Sequence, residues 1–146
     1  MIPLKHPTVV VPIDFSDDTD AAIRSGLDRV NDPSGLHVVH VLVPLDYASP
    51  GVMWGTVSDE TRKEAVLANL DQVLKRTGAT GAQPVVLFGD PGLKIADYAE
   101  SVNADLIIIP SHGFHGVKRF LLGSTAERII RHAHCSVLVL RRKDAD

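Results

Sequence analysis

Cysteine is nearly absent. Cys135 is the only one, so no disulfide can form within the chain and the fold must rest on a packed core. Such usage suits a reducing compartment, and a cytoplasmic location is the expectation. The lone thiol reads as a small buried apolar group rather than a nucleophile or redox switch. Long apolar runs are missing too: none approaches the roughly eighteen residues of a membrane-spanning helix. Nor is there a basic excess. Lys and Arg number 15 against 18 Asp and Glu, and the formal net charge of −3 offers no broad field for nucleic acid. The opening segment Met1–Pro7 holds two prolines and no apolar stretch, which argues against a signal peptide. Two common phosphate signatures are also lacking. No Gly-x-x-x-x-Gly-Lys-Ser/Thr occurs, and no Gly-x-Gly-x-x-Gly follows the first strand, which disfavours a P-loop NTPase and a dinucleotide site.

What is present is an alternation of short β-branched runs with longer stretches of helical period. In 146 residues there is no internal repeat, low-complexity tract or domain boundary, so one domain spanning 1–146 is expected. Thr8–Ile13, Leu36–Leu42, Gln83–Phe88, Asp105–Ile109 and Ser136–Leu140 read as strands. Val9–Val11 and Leu106–Ile109 are uninterrupted apolar runs, which signal strands covered on both faces of a parallel sheet.

Four helices fit between them. The first starts after Ser16, with Asp17, Asp18 and Asp20 suited to a positive helix end and Ala22, Ile23, Gly26, Leu27 and Val30 on its apolar face. The second covers about Ser58 to Thr77 and uses Val66, Leu70, Val73 and Leu74. The third follows Asp90-Pro91, a cap before a proline at the first helical position, and buries Ile95, Ala99 and Val102. The fourth opens near Ser124, with Ala126, Ile129, Ile130 and Ala133 on one side. Val43–Val57 breaks the rhythm. It carries Tyr47, Met53 and the only tryptophan, Trp54, and reads as a surface loop or as a flap near a ligand.

In an open parallel sheet, ligands bind beyond the carboxyl ends of the strands where strand order reverses. The segments to weigh are therefore Pro12-Ile13-Asp14-Phe15-Ser16, after the first strand, and Pro110-Ser111-His112-Gly113, after the fourth. Further on, Gly123-Ser124-Thr125 leads straight into a helix, presenting backbone N–H groups and a positive dipole end that suit phosphate oxygens. Lys118 or Arg119 could add charge. The same residues also serve as an ordinary cap and ordinary turn glycines. Among the histidines, His37 and His40 should point to opposite faces of a strand, and His132 and His134 diverge at a helix end. His112 and His115 stand in the loop before the fourth helix, as hydrogen-bond donors or as solvated loop residues.

Three separated motifs, in order, resemble the universal stress protein family: Val10-Val11-Pro12-Ile13-Asp14-Phe15-Ser16; Gly89-Asp90-Pro91-Gly92-Leu93-Lys94-Ile95; and Ser111-His112-Gly113, nine residues, then Gly123-Ser124, closing with Cys135–Arg141. The resemblance spans essentially the whole chain. It implies an open five-stranded parallel sheet of order 3-2-1-4-5 with helices on both faces, the adenine nucleotide alpha-hydrolase-like fold. It further implies ATP with Mg²⁺ or Mn²⁺, or AMP, as ligand. Asp14 would lie near the ribose or a nucleotide-bound metal, and Val41 would line the adenine slot. Gly113, Gly123, Ser124 and Thr125 would hold ribose and phosphates, between apolar walls at Pro12 and Ile109. Ile13, Ser111 and His112 complete the expected set. The last strand would pair across a homodimer. The ATP-binding branch of the family carries Gly-x-x-Gly, nine residues, then Gly-Ser or Gly-Thr; here Pro110 stands in place of the first glycine. No base–nucleophile pair suggests itself, so a dimeric stress-response regulatory module with an unknown protein partner is expected rather than an enzyme. A family member acting only as an interaction dimer is the alternative.

Overall fold

The computed structural model describes residues 5–44, 58–111 and 122–141. Its five strands are β1 (Val9–Pro12), β2 (Leu36–Leu42), β3 (Gln83–Phe88), β4 (Leu106–Pro110) and β5 (Ser136–Leu140). Between them run α1 (Thr19–Arg29), α2 (Asp59–Thr77), α3 (Pro91–Ser101) and α4 (Ser124–His132), with a 3₁₀ turn at Pro33–Gly35 before β2. All pairings are parallel, in the order β3-β2-β1-β4-β5.

The chain winds outward from β1 through β2 to β3, then crosses back to β4 and β5. Right-handed crossovers require the helices to change face when the direction of winding reverses. Two cores follow, one on each side. Val9, Val11, Val38, Leu106 and Ile108 pack with Ala22, Ile23, Leu70, Val73 and Leu74 of α1 and α2. Val10, Val39, Ile107 and Ile109 pack with Ile95 and Ala99 of α3 and Ala126 and Ile129 of α4. Val9–Val11 and Ile107–Ile109 are thus buried on both faces, as their unbroken apolar runs imply.

Several boundaries shift. Thr19, not a residue just after Ser16, is the first of α1, with Asp18 as its N-cap. Val30 lies beyond the end of α1 as extended backbone and bridges to His6, so its burial comes from the sheet side rather than from a helical face. Ile130, expected inside, is 42% exposed. A helix of nine residues resting on one sheet face buries a narrower stripe than its apolar period allows.

β1 keeps its pairing to β2 as far as Pro12↔Val39, and β4 pairs with β5 as far as Pro110↔Leu140. Between β1 and β4, however, the ladder ends at Val10↔Ile107. Successive N–H groups along a parallel strand aim to opposite neighbours. The Ile13 N–H donates to Val39 O at 2.8 Å, on the β2 side, so position 12 faces β4. The Ser111 N–H donates to Leu140 O at 2.9 Å, on the β5 side, so position 110 faces β1. The two donors that would extend the β1–β4 ladder are the two that proline removes. A fork opens at the point where strand order reverses.

Candidate functional site

The fork is flanked by the turn after β1 and the start of α4. In the first, the Ser16 N–H donates to Asp14 Oδ1 at 3.0 Å, closing an Asx turn. Phe15, inside that turn, has φ 61°, an uncommon conformation for a bulky side chain that costs on the order of 1–3 kcal/mol. Its ring lies 4.8 Å from the His40 ring, centroid to centroid. His40 Nδ1 is 2.7 Å from Ile13 O; a carbonyl only accepts, so Nδ1 carries the proton and donates. β2 thus braces the strained turn that carries Asp14. Nothing in the composition of that segment, which lacks glycine, betrays the left-handed residue. The Asp-x-Ser spacing is the only local hint of the turn.

On the other side, Ser111 is buried at 7% exposure and joins three elements. Its N–H reaches the end of β5, and its carbonyl accepts from the Gly123 N–H at 2.8 Å. Gly123 is the N-cap of α4 with φ −65° and ψ 156°, extended backbone open to any residue, and not the left-handed turn that a glycine there invites. No side chain caps the helix, and Ser124, the first helical residue, and Thr125 are exposed. First-turn N–H groups are orphans unless an outside acceptor meets them.

Of the sequence-derived residues, Pro12, Ile13, Asp14, Ile109, Ser111, Gly123, Ser124 and Thr125 gather at the strand ends around the fork. Val41 is half-buried on the α3/α4 face of the neighbouring strand, packed against the same core as Ile109. His112, Gly113, His115, Lys118 and Arg119 lie outside the described residues, as do Tyr47, Met53 and Trp54. Among the described residues no cluster of three or more His, Cys, Asp or Glu could hold a metal.

Two further histidines have structural partners. His37 points to the α3 side, as its spacing from His40 requires, and its Nδ1 lies 2.7 Å from the Tyr98 hydroxyl. Burial lowers the His37 pKa and raises that of Tyr98. His134 Nε2 lies 3.3 Å from Glu100 Oε2. Both line a cavity of about 190 Å³ with Ala99, Asn103, Ala104 and Cys135, before the start of β5 and so at the opposite end of the sheet from the fork. That volume is below the roughly 300 Å³ at which ligand pockets begin. Burial, with the Asp105 charge adding to it, raises the Cys135 pKa and keeps the thiol protonated, the state of a packing group.

Comparison with known proteins agrees across the whole length. The sequence profile described as the universal stress protein family matches residues 6–141. A universal stress protein of Methanocaldococcus jannaschii is 32% identical over 143 residues, covering 94% of this chain and 83% of that protein. Among solved structures, a universal stress protein from Lactobacillus plantarum has TM-score 0.67 at 24% identity, covering 93% of this chain and 99% of that one. One from Archaeoglobus fulgidus, in complex with dAMP, has TM-score 0.57 at 25% identity, covering 92% and 97%.

Proposed function

The chain belongs to the universal stress protein family, and on that footing we propose that it binds an adenine nucleotide, ATP or AMP, at the β1/β4 fork and acts as a dimeric regulatory module in the cytoplasm, not as an enzyme. The observation that carries this reading is the pairing of the proline-opened fork with an uncapped helix start. In this reading the strand ends at Pro12 and Ile109 give the ligand apolar walls, and the first turn of α4 supplies unpaired donors of the kind phosphate oxygens seek. The dAMP complex of the Archaeoglobus fulgidus relative supports the choice of an adenine nucleotide.

In that arrangement the Ser124 and Thr125 hydroxyls and the α4 amides take phosphate oxygens, and the Asp14 carboxylate, steadied by the Ser16 N–H, faces the ribose or a nucleotide-bound Mg²⁺ or Mn²⁺. One carboxylate is a sparse but adequate donor set for Mg²⁺, which keeps several waters and is held mainly through substrate phosphates. The cation neutralises phosphate charge. The sequence suggests no base–nucleophile pair, which favours binding over turnover. β5 ends the sheet with Val137–Leu140 half-buried, and an apolar edge strand of this kind invites a second copy. No helix among the described residues is long and apolar enough to cross a membrane.

The decisive measurement is thermal stability with and without Mg-ATP or AMP. A ligand at about 100 times its dissociation constant adds roughly 2.7 kcal/mol of stability. A melting curve unmoved by millimolar nucleotide rejects the reading and leaves a protein-interaction dimer, which sedimentation at micromolar concentration then checks.

A further inference from the structure

Asp90 serves two helices at once. Its Oδ2 accepts from the Leu93 N–H at 3.0 Å and caps α3. Its Oδ1 accepts from Arg128 Nη1, which reaches over from the middle of α4. The same helices meet at backbone level: Gly92 is buried, and a Cβ there would sit 2.4 Å from Arg128 Cβ. Arg128 lies four residues after Ser124, so both project from one side of α4. Holding Arg128 adds to the constraint that the buried Ala126 and Ile129 place on the rotation and axial position of α4, and so on the directions of its first-turn amides. At the tip, the backbone bond from Gly123 to Ser111 constrains position, the buried Ala126 and Ile129 set which face meets the sheet, and the ion pair steadies the exposed side.

We propose that Asp90, Arg128 and Gly92 form a latch that aims the N-terminus of α4 at the nucleotide phosphates; the phosphate half of this proposal rests on the nucleotide reading above. Arg128 is then a positioning residue rather than a ligand. The side chains of Arg128 and Asp90 are 54% and 34% exposed, a setting in which ion pairs contribute little to stability. Direction, not adhesion, is what the pair supplies.

The test uses the full chain and the variants Arg128→Gln, Arg128→Lys and Gly92→Ala. Calorimetry is run with Mg-ATP and with adenosine, and amide hydrogen exchange is followed at residues 127–129 without ligand. Arg128→Gln should weaken Mg-ATP about three- to fivefold, the upper range for a single exposed ion pair. Adenosine affinity should not change, and exchange at 127–129, whose amides bond back into the first turn, should quicken while the sheet amides stay protected. Arg128→Lys should recover most of the loss. Gly92→Ala, which displaces Arg128 without touching any charge, should reproduce it. Parallel loss of ATP and adenosine affinity with a lower melting temperature would overturn the latch in favour of a general stabilising role. So would unchanged exchange and unchanged ATP affinity. If the parent protein binds neither compound, the nucleotide reading fails by itself. Exchange then decides alone: faster exchange at 127–129 in Arg128→Gln supports the latch, and unchanged exchange overturns it.

Discussion

The four helix starts divide into two pairs. α2 and α3 are capped by side chains: Ser58 and Thr61 form a reciprocal capping box, and Asp90 accepts from Leu93. α1 and α4 have no side-chain cap bond at Asp18 or Gly123. The capped pair follows β2 and β3; the uncapped pair follows β1 and β4, the strands on either side of the fork. Side-chain caps are thus present away from the fork and missing beside it. The uncapped two also differ from one another. Asp20 gives α1 an acidic first turn, and it is engaged by Arg76 with bonds of 2.7 and 3.1 Å, whereas α4 begins with two exposed hydroxyl residues. On the proposed reading, an anion belongs at the second and not at the first.

The strongest challenge to this contrast is Gly123→Val. The observed φ and ψ suit valine, so the fold should persist, but the side chain would stand where phosphate must approach. Mg-ATP affinity is expected to fall at least about tenfold, or 1.4 kcal/mol; a calorimetric titration matching that of the parent would place the phosphates elsewhere.

Pro12→Val probes the fork. Valine returns an N–H on the β4 side, where it can donate to the Ile108 carbonyl and extend the ladder. Stability should rise by about 1 kcal/mol, the net worth of one hydrogen bond, while nucleotide binding weakens as the slot narrows. Denaturant midpoints and affinities moving together, rather than in opposition, would mean the fork is not the slot.

Ser58→Ala sharpens the contrast from the capped side. Loss of the capping box should cost about 1 kcal/mol in urea unfolding and leave nucleotide affinity unchanged, the reverse of the effect at Gly123.

The smallest effect concerns pH and lies away from the fork. Burial lowers the His37 pKa below its ordinary value of 6.5, so the folded state binds this proton less readily than the unfolded chain. Its contribution is fully present above pH 6.5 and is lost as pH falls below that value towards the folded pKa. His37→Gln keeps a partner for the Tyr98 hydroxyl and should flatten the stability profile in that window. A slope as steep as that of the parent would trace the acid sensitivity to another group.

Much of this architecture was legible beforehand because it is local. Unbroken runs such as Val9–Val11 announce burial on both faces, and Ser58, Asp90-Pro91 and Gly123-Ser124 mark helix starts through chemistry confined to a few residues. The alternation of strand and helix, with the family resemblance, pointed to a doubly wound sheet and to its switch point. Other features depend on partners far along the chain. A proline is only a missing donor until strand order and register decide which neighbour it fails to meet, and Pro12 and Pro110 make a fork because β1 and β4 lie side by side. Phe15 holds a left-handed conformation beside His40 of β2, a packing that no local preference of phenylalanine foretells. Asp90 could be read as a cap, but its second bond to Arg128 exists only because α3 and α4 share one face of the sheet. Sequence by itself determined which elements form and where their ends lie to within a residue or two. Tertiary structure alone decided which unpaired groups face one another, since that depends on contacts between residues distant in the chain.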